Sequence, residues 1–116
     1  MTAQVVLIVR LRCKPGKKEA FRQSLSAVID VMSQEADFVN AILHESLDYP
    51  DQLVVYETWQ GTRESWLREQ MPKPYRREYE QQVAELLEAR TGDWLVPLAG
   101  WGSPSDSSDK LVNDNS

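Results

Sequence analysis

His44 is the only histidine among 116 residues, and histidine is the side chain whose unperturbed pKa lies near physiological pH. It is therefore the first candidate for a base. If Leu47 pairs with Leu53 across the intervening turn, His44 stands opposite Tyr56 on one sheet face, near Ser46, so that an imidazole, a phenol and a hydroxyl converge. The plain alternative is a histidine that bonds a neighbour on a sheet face or lines an interface. Glu57 lies between Tyr56 and Thr58 in an apolar run, where an unpaired carboxylate is costly. Either an arginine such as Arg10 or Arg12 neutralises it, or burial raises its pKa and makes it a second catalytic candidate, a proton-transfer group. Trp59, Trp66 and Tyr75 bracket this region and offer the aromatic walls that a flat ring substrate needs; the same residues would also fill a core. Cys13 reads as a small buried hydrophobe. Arg76 and Arg77, with Glu78, Glu80, Glu85 and Glu88, read as the solvated face of a helix.

Composition narrows the chemistry these residues can serve. One domain accounts for the length. With 13 Lys+Arg against 18 Asp+Glu the formal net charge is −5, and the basic residues are scattered, which argues against a nucleic-acid partner. A single cysteine cannot form a disulfide within the chain, and no Cys/His cluster has metal-ligand spacing. A reducing, cytoplasmic setting is expected. The apolar run Val5–Val9 is followed at once by Arg10 and Arg12; it predicts a strand, not a signal peptide or a membrane span.

The elements that must position the candidates follow from periodicity. Val5 to Cys13 is β-rich and stops at Pro15-Gly16. Phe21, Leu25, Val28, Ile29 and Met32 form the apolar stripe of a first helix. Asn40–Leu47 and Leu53–Trp59 predict a hairpin around Asp48–Gln52, and Thr62 is placed to N-cap a short helix over Arg63–Gln70. Tyr75, Tyr79, Val83, Leu86 and Leu87 form a third helical stripe to about Arg90, with Gly92 as its stop. Asp93 to Trp101, interrupted by Pro97, predicts a fourth strand at a sheet edge. Residues 1–102 then form an α+β domain of order β-α-β-β-α-α-β, a ferredoxin-like antiparallel sheet with helices on one face. Residues 103–116 are a Ser/Asp/Asn-rich tail with only Leu111 and Val112 to bury.

The first and third strands are apolar on both sides of the pleat: Val5, Leu7 and Val9 against Val6 and Ile8, then Leu53 and Val55 against Val54 and Tyr56. Helices cover one face only. The other implies a partner surface, most economically a second copy of the chain.

Pro50-Asp51-Gln52-Leu53-Val54-Val55-Tyr56-Glu57-Thr58-Trp59 resembles the hairpin signature of the antibiotic biosynthesis monooxygenase family. Val9 to Lys17 resembles that family's opening strand and turn, and Trp94-Leu95-Val96-Pro97-Leu98 the closing strand of one subgroup. The resemblance spans most of residues 4 to 102. It implies a homodimeric α/β barrel with a small-molecule pocket in each subunit. Some relatives oxidise quinol-like or anthrone-like aromatics with O2 and no cofactor, the deprotonated substrate itself donating electrons. On that reading His44 and Glu57 are the catalytic candidates, and Ser46, Tyr56, Trp59, Trp66, Gln70 and Tyr75 the substrate-binding ones. Two departures stand out. Gln70 occupies the place where many relatives carry a histidine, and glutamine cannot act as a base near neutral pH. Val9, Arg68 and Glu78 stand where the haem-degrading branch uses asparagine, tryptophan and histidine, which argues against haem. A cofactor-free isomerase or other proton-transfer enzyme, and a non-catalytic dimeric ligand-binding protein, are the competing readings.

Overall fold

The computed structural model describes residues 3–102. Seven elements follow in the order β1 (Gln4–Cys13), α1 (Lys18–Met32), β2 (Phe38–Glu45), β3 (Gln52–Gln60), α2 (Arg63–Glu69), α3 (Arg76–Leu86) and β4 (Leu87–Leu95). The strands form one antiparallel sheet in the order β2-β3-β1-β4. This is the ferredoxin-like α+β arrangement that the element order implies, with the helices on one face. The segment from residue 103, expected as a polar tail, lies outside the described residues.

Both β1 and β3 are interior strands, each paired on both edges, and the helices cover one of their two apolar faces. On the helix side, Val5, Leu7, Leu11 and Cys13 of β1 and Leu53, Val55 and Trp59 of β3 join Phe21, Leu25, Val28 and Met32 of α1 in the core. The stripe expected for the first helix is thus the face it buries, with Ile29 packed at the margin. Gly16 takes φ 77° in the turn after β1, a conformation open to glycine at little cost.

Helix α2 has only seven residues, too few to hold itself together, and is fixed by its start. Thr62 Oγ1 accepts the Ser65 N–H at 3.1 Å, and Ser65 Oγ accepts the Thr62 N–H at 3.0 Å. This reciprocal cap satisfies two N–H groups that would otherwise be orphaned.

Two expectations are corrected. The third helix ends at Leu86, and the fourth strand starts at once at Leu87 instead of near Asp93. Gly92 is therefore inside β4, opposite Val9, and Pro97 lies beyond the strand. Glu88, Ala89 and Arg90 favour helix locally, but pairing with β1 buries Leu87 in the core and overrides that weak preference. In the hairpin, Glu45 rather than Leu47 pairs with Leu53, so His44 stands opposite Val54, and Ile42 takes the place opposite Tyr56. Ser46 sets that register: its Oγ accepts the N–H groups of Asp48 and Tyr49 at 3.2 and 3.1 Å, closing the turn early.

Neighbouring residues of β1 should respond very differently to truncation. Leu11 is fully buried, whereas Arg12 is exposed and only 4.0 Å from its ion-pair partner Glu88. Urea unfolding of Leu11→Ala is expected to show a loss of about 2–5 kcal/mol, and Arg12→Ala about 0.5 kcal/mol or less. Equal losses would contradict the central placement of β1.

Candidate active site

Strand parity decides which candidates meet. Glu57 and Trp59 alternate with Val55 and Leu53 on the helix side of β3, whereas Tyr56 and Val54 point to the outer face. His44, paired with Val54, shares that outer face and is exposed. Ser46 is engaged in its turn. The eight candidates therefore separate: Glu57, Trp59, Trp66, Gln70 and Tyr75 lie on the helix side, and His44, Ser46 and Tyr56 do not join them.

Between the helix side of the sheet and α1–α3 is a cavity of about 270 Å³. Leu7 and Val9 of β1, Glu57 of β3, Trp66 of α2, Arg76 and Tyr79 of α3 and Gly92 and Trp94 of β4 line it. Gly92 matters for its volume. A Cβ there would sit 3.5 Å from Leu7 Cδ1, so a longer side chain would grow into the space. A larger open groove of about 810 Å³ runs between α1 and α3 among Gln23, Tyr75, Arg77, Glu78 and Gln82; neither Glu57 nor Trp66 reaches it.

Glu57 is buried, and Trp59 Nε1 donates to its Oε1 at 2.9 Å. Residues two apart on a strand share a face, so this bond follows from the chain itself. Trp59 is completely buried and held edge-on by Phe38 at 5.2 Å and Trp66 at 6.2 Å. Core packing thus fixes the indole that orients the carboxyl. Burial drives the Glu57 pKa up; the Trp59 hydrogen bond and the Arg76 charge act against burial without cancelling it. The neutralising partners expected at Arg10 or Arg12 are engaged elsewhere, on Asp93 at 2.8 Å and Glu88 at 4.0 Å.

The aromatic wall continues from Trp66 to Trp94, 5.2 Å between ring centroids. Tyr79 packs against Phe21 at 5.9 Å, and burial pushes its pKa up to about 12, so its phenol stays protonated. Gln70 is buried at the end of α2; its carbonyl accepts from Arg76 Nε at 3.0 Å while its side-chain Oε1 has no hydrogen-bond partner. Trp66 Nε1 is likewise buried without a hydrogen-bond partner, and Tyr75 OH and Arg76 Nη2 make no well-formed hydrogen bond although Tyr75 interacts with both Arg76 and Glu35. Of these side chains only Trp66 and Arg76 line the cavity, whereas Tyr75 lines the groove between α1 and α3.

Arg76, Tyr79, Arg90 and Trp94 were not among the candidates read from the sequence. Arg76 looks solvated beside Arg77, yet it falls three residues before Tyr79 and seven before Val83, on their face of α3. That spacing was the available signal.

An α+β sheet with an acid-bearing aromatic cavity under its helices defines the class. The chain belongs to the antibiotic biosynthesis monooxygenase family: the family model matches residues 4–68, more than half of the chain. Among solved structures it is similar to Rv0793 of Mycobacterium tuberculosis, with 29% identity, a TM-score of 0.75, and coverage of 86% of this chain and 100% of that one. PA3566 of Pseudomonas aeruginosa shares 22% identity at a TM-score of 0.76 over 85% of this chain and 98% of that one. SnoaB, a cofactor-independent oxygenase of Streptomyces nogalater, shares 14% identity at a TM-score of 0.75 over 87% and 99%; the last two likenesses are of fold. No curated protein sequence matches the chain. Among the described residues no helix is long and apolar enough to cross a membrane, and no three His, Cys, Asp or Glu side chains group to hold a metal ion.

The buried carboxyl has a pH signature. Because the Glu57 pKa is raised in the folded state above its ordinary 4.5, the stability it contributes is complete below that value and is lost as pH rises through the folded pKa. Glu57→Gln keeps an acceptor for Trp59 and cannot ionise. Urea midpoints from acid to neutral pH should show the variant gaining on the wild type as pH rises; parallel curves would show that Glu57 titrates normally.

Proposed function

We propose that this protein is a monooxygenase that works without a bound cofactor and oxidises an electron-rich aromatic or quinol-type small molecule with O2. The observation that carries this reading is a buried Glu57 facing a cavity of about 270 Å³ walled by Trp66 and Trp94. Family membership and the likeness in fold to SnoaB, a cofactor-independent oxygenase, support it.

In this reading Glu57, ionised, takes a proton from the bound ring. The resulting anion gives electrons to O2 in a site from which water is largely excluded. For a substrate with an activated CH2 the balance is CH2 + O2 → C=O + H2O: one oxygen atom enters the substrate, the other leaves as water, and the substrate supplies all the electrons. Trp59 orients Glu57, Trp66 forms the ring wall, and Trp66 Nε1 supplies a polar contact that helps fix substrate orientation. His44 and Tyr56 belong to the outer face.

That face completes the proposal. Ile8, Ile42, Val54 and Tyr56 are only half-buried there, and Val96, Leu98 and Trp101 beyond β4 are largely exposed. A second copy of the chain would cover such a surface, as a homodimeric barrel requires.

Oxygen uptake by metal- and flavin-free protein with a panel of hydroquinones and anthrones tests the activity. Glu57→Gln is expected to lower kcat about a hundredfold to ten-thousandfold, Gly92→Leu to raise KM by filling the cavity, and His44→Gln to turn over normally. Solvent-proton exchange into substrate without oxygen uptake would make the protein a proton-transfer enzyme instead. Size measurement at micromolar concentration should give twice the 13.3 kDa chain mass; a folded monomer would overturn the dimer.

A further inference from the structure

We infer that Arg76 makes the cavity select its ligand as an anion, a ring hydroxyl or enol that is ionised when bound, with the guanidinium as counter-charge. This rests on the reading of the cavity as an aromatic-substrate site and assigns that site its charge specificity.

The charges around the cavity leave one unbalanced. Arg90, from β4, is neutralised by Glu80 of α3 through two bonds of 2.9 and 3.0 Å. Lys73, in the loop before α3, pairs with Glu35, beyond α1, at 3.2 Å. Glu57 faces Arg76 from β3 but makes no ion pair with it, and burial raises its pKa against the opposing Arg76 charge; Tyr75 and Tyr79 remain protonated phenols near neutrality. Arg76 itself has no ion pair among the described residues. It nevertheless lines the cavity, its guanidinium 4.8 Å from the Trp66 ring centroid and 5.7 Å from that of Tyr75. Its Nε is spent on the Gln70 carbonyl at 3.0 Å, while Nη2, buried near Tyr75, makes no well-formed hydrogen bond.

The guanidinium stacks on Trp66 and Tyr75 and bonds the Gln70 carbonyl, contacts that hold Arg76 in place but neutralise none of its charge. Arg76 is the first residue of α3, where the helix dipole disfavours a cation and favours an acid. A cation held there at a cavity wall without an ion pair breaks a local rule, and such a position is where function is expected. A cation within about 4–6 Å lowers the pKa of an ionising oxygen by roughly one to three units, equivalent to about a tenfold to thousandfold rise in its ionised fraction relative to neutral. Burial that raises the proton affinity of Glu57 and a guanidinium that favours a ligand anion act in the same direction, toward the state in which the proton has passed from the ring to Glu57.

The test needs no turnover. para-Nitrophenol, whose ionised form has its own absorption band, is added to excess protein at a pH where the free probe is mostly neutral. The ratio of ionised to neutral probe is expected to rise at least about tenfold on binding. Arg76→Lys should keep most of that rise and Arg76→Gln should lose it, with Arg76→Leu as a second uncharged variant in case one fails to fold. The uncharged ether para-nitroanisole should bind wild type and uncharged variants alike. A probe that binds neutral to wild type, or ionises equally in wild type and the uncharged variants, overturns the assignment and leaves the oxygenase reading standing. Failure of both probes to bind wild type overturns both. Ionisation that depends on Arg76, without oxygen uptake on any substrate, supports the charge assignment and rejects the oxygenase reading.

Discussion

The cavity depends on β1 being hydrogen-bonded along both edges. Its antiparallel register with β3 places Leu7 opposite Glu57, and its register with β4 places Leu7 opposite Trp94 and Val9 opposite Gly92. Three strands thereby present an apolar side chain, a carboxyl, an indole and a glycine on one sheet face, beneath helices that cover part of the space. Because side chains alternate with period two, a one-residue slip in either ladder would move that whole set to the outer face. Core packing guards the register: Leu11, Leu53 and Val55 are each almost fully buried on the same side.

The same packing gives the site its electrostatic character. Trp59 is a core residue by every measure, yet its one polar atom is committed to Glu57, so the carboxyl's orientation is as rigid as the aromatic cluster that holds the indole. Desolvation keeps this acid's proton affinity high, and the Glu80–Arg90 pair removes the charge of the other arginine from the balance. Two acidic side chains thus play opposite parts: Glu57 is buried among aromatics, which raises its pKa, whereas Glu80 is exposed and paired with a guanidinium.

The α2–α3 connection concentrates the unspent polar atoms. Gln70, Tyr75 and Arg76 lie within seven residues, interrupted by Pro72 and Pro74, whose fixed φ limits the conformations of the loop. Leu67 and Met71, both lining the cavity, are about half exposed at its rim. Bonding capacity and a partly apolar rim therefore meet at the side of the cavity away from the rigid sheet floor.

Much of this architecture was already determined by the sequence. Apolar periodicity placed the elements, and Thr62 marked the start of α2. Glu57 stood out as a carboxyl in an apolar strand because its environment is written in its immediate neighbours. What local sequence could not decide were quantities set across the chain. The end of α3 depended on β1 claiming Leu87 and its successors for a ladder, against their own helical preference. The hairpin register depended on Ser46 closing the turn, which moved His44 from Tyr56 to Val54. Arg76 reads identically to Arg77 in composition, and only the packing of α3 against the sheet sends one to the cavity and leaves the other outside it. Helical and strand periods are local properties of a chain, whereas register, burial and charge balance arise from segments far apart in sequence, so only the tertiary structure could supply them.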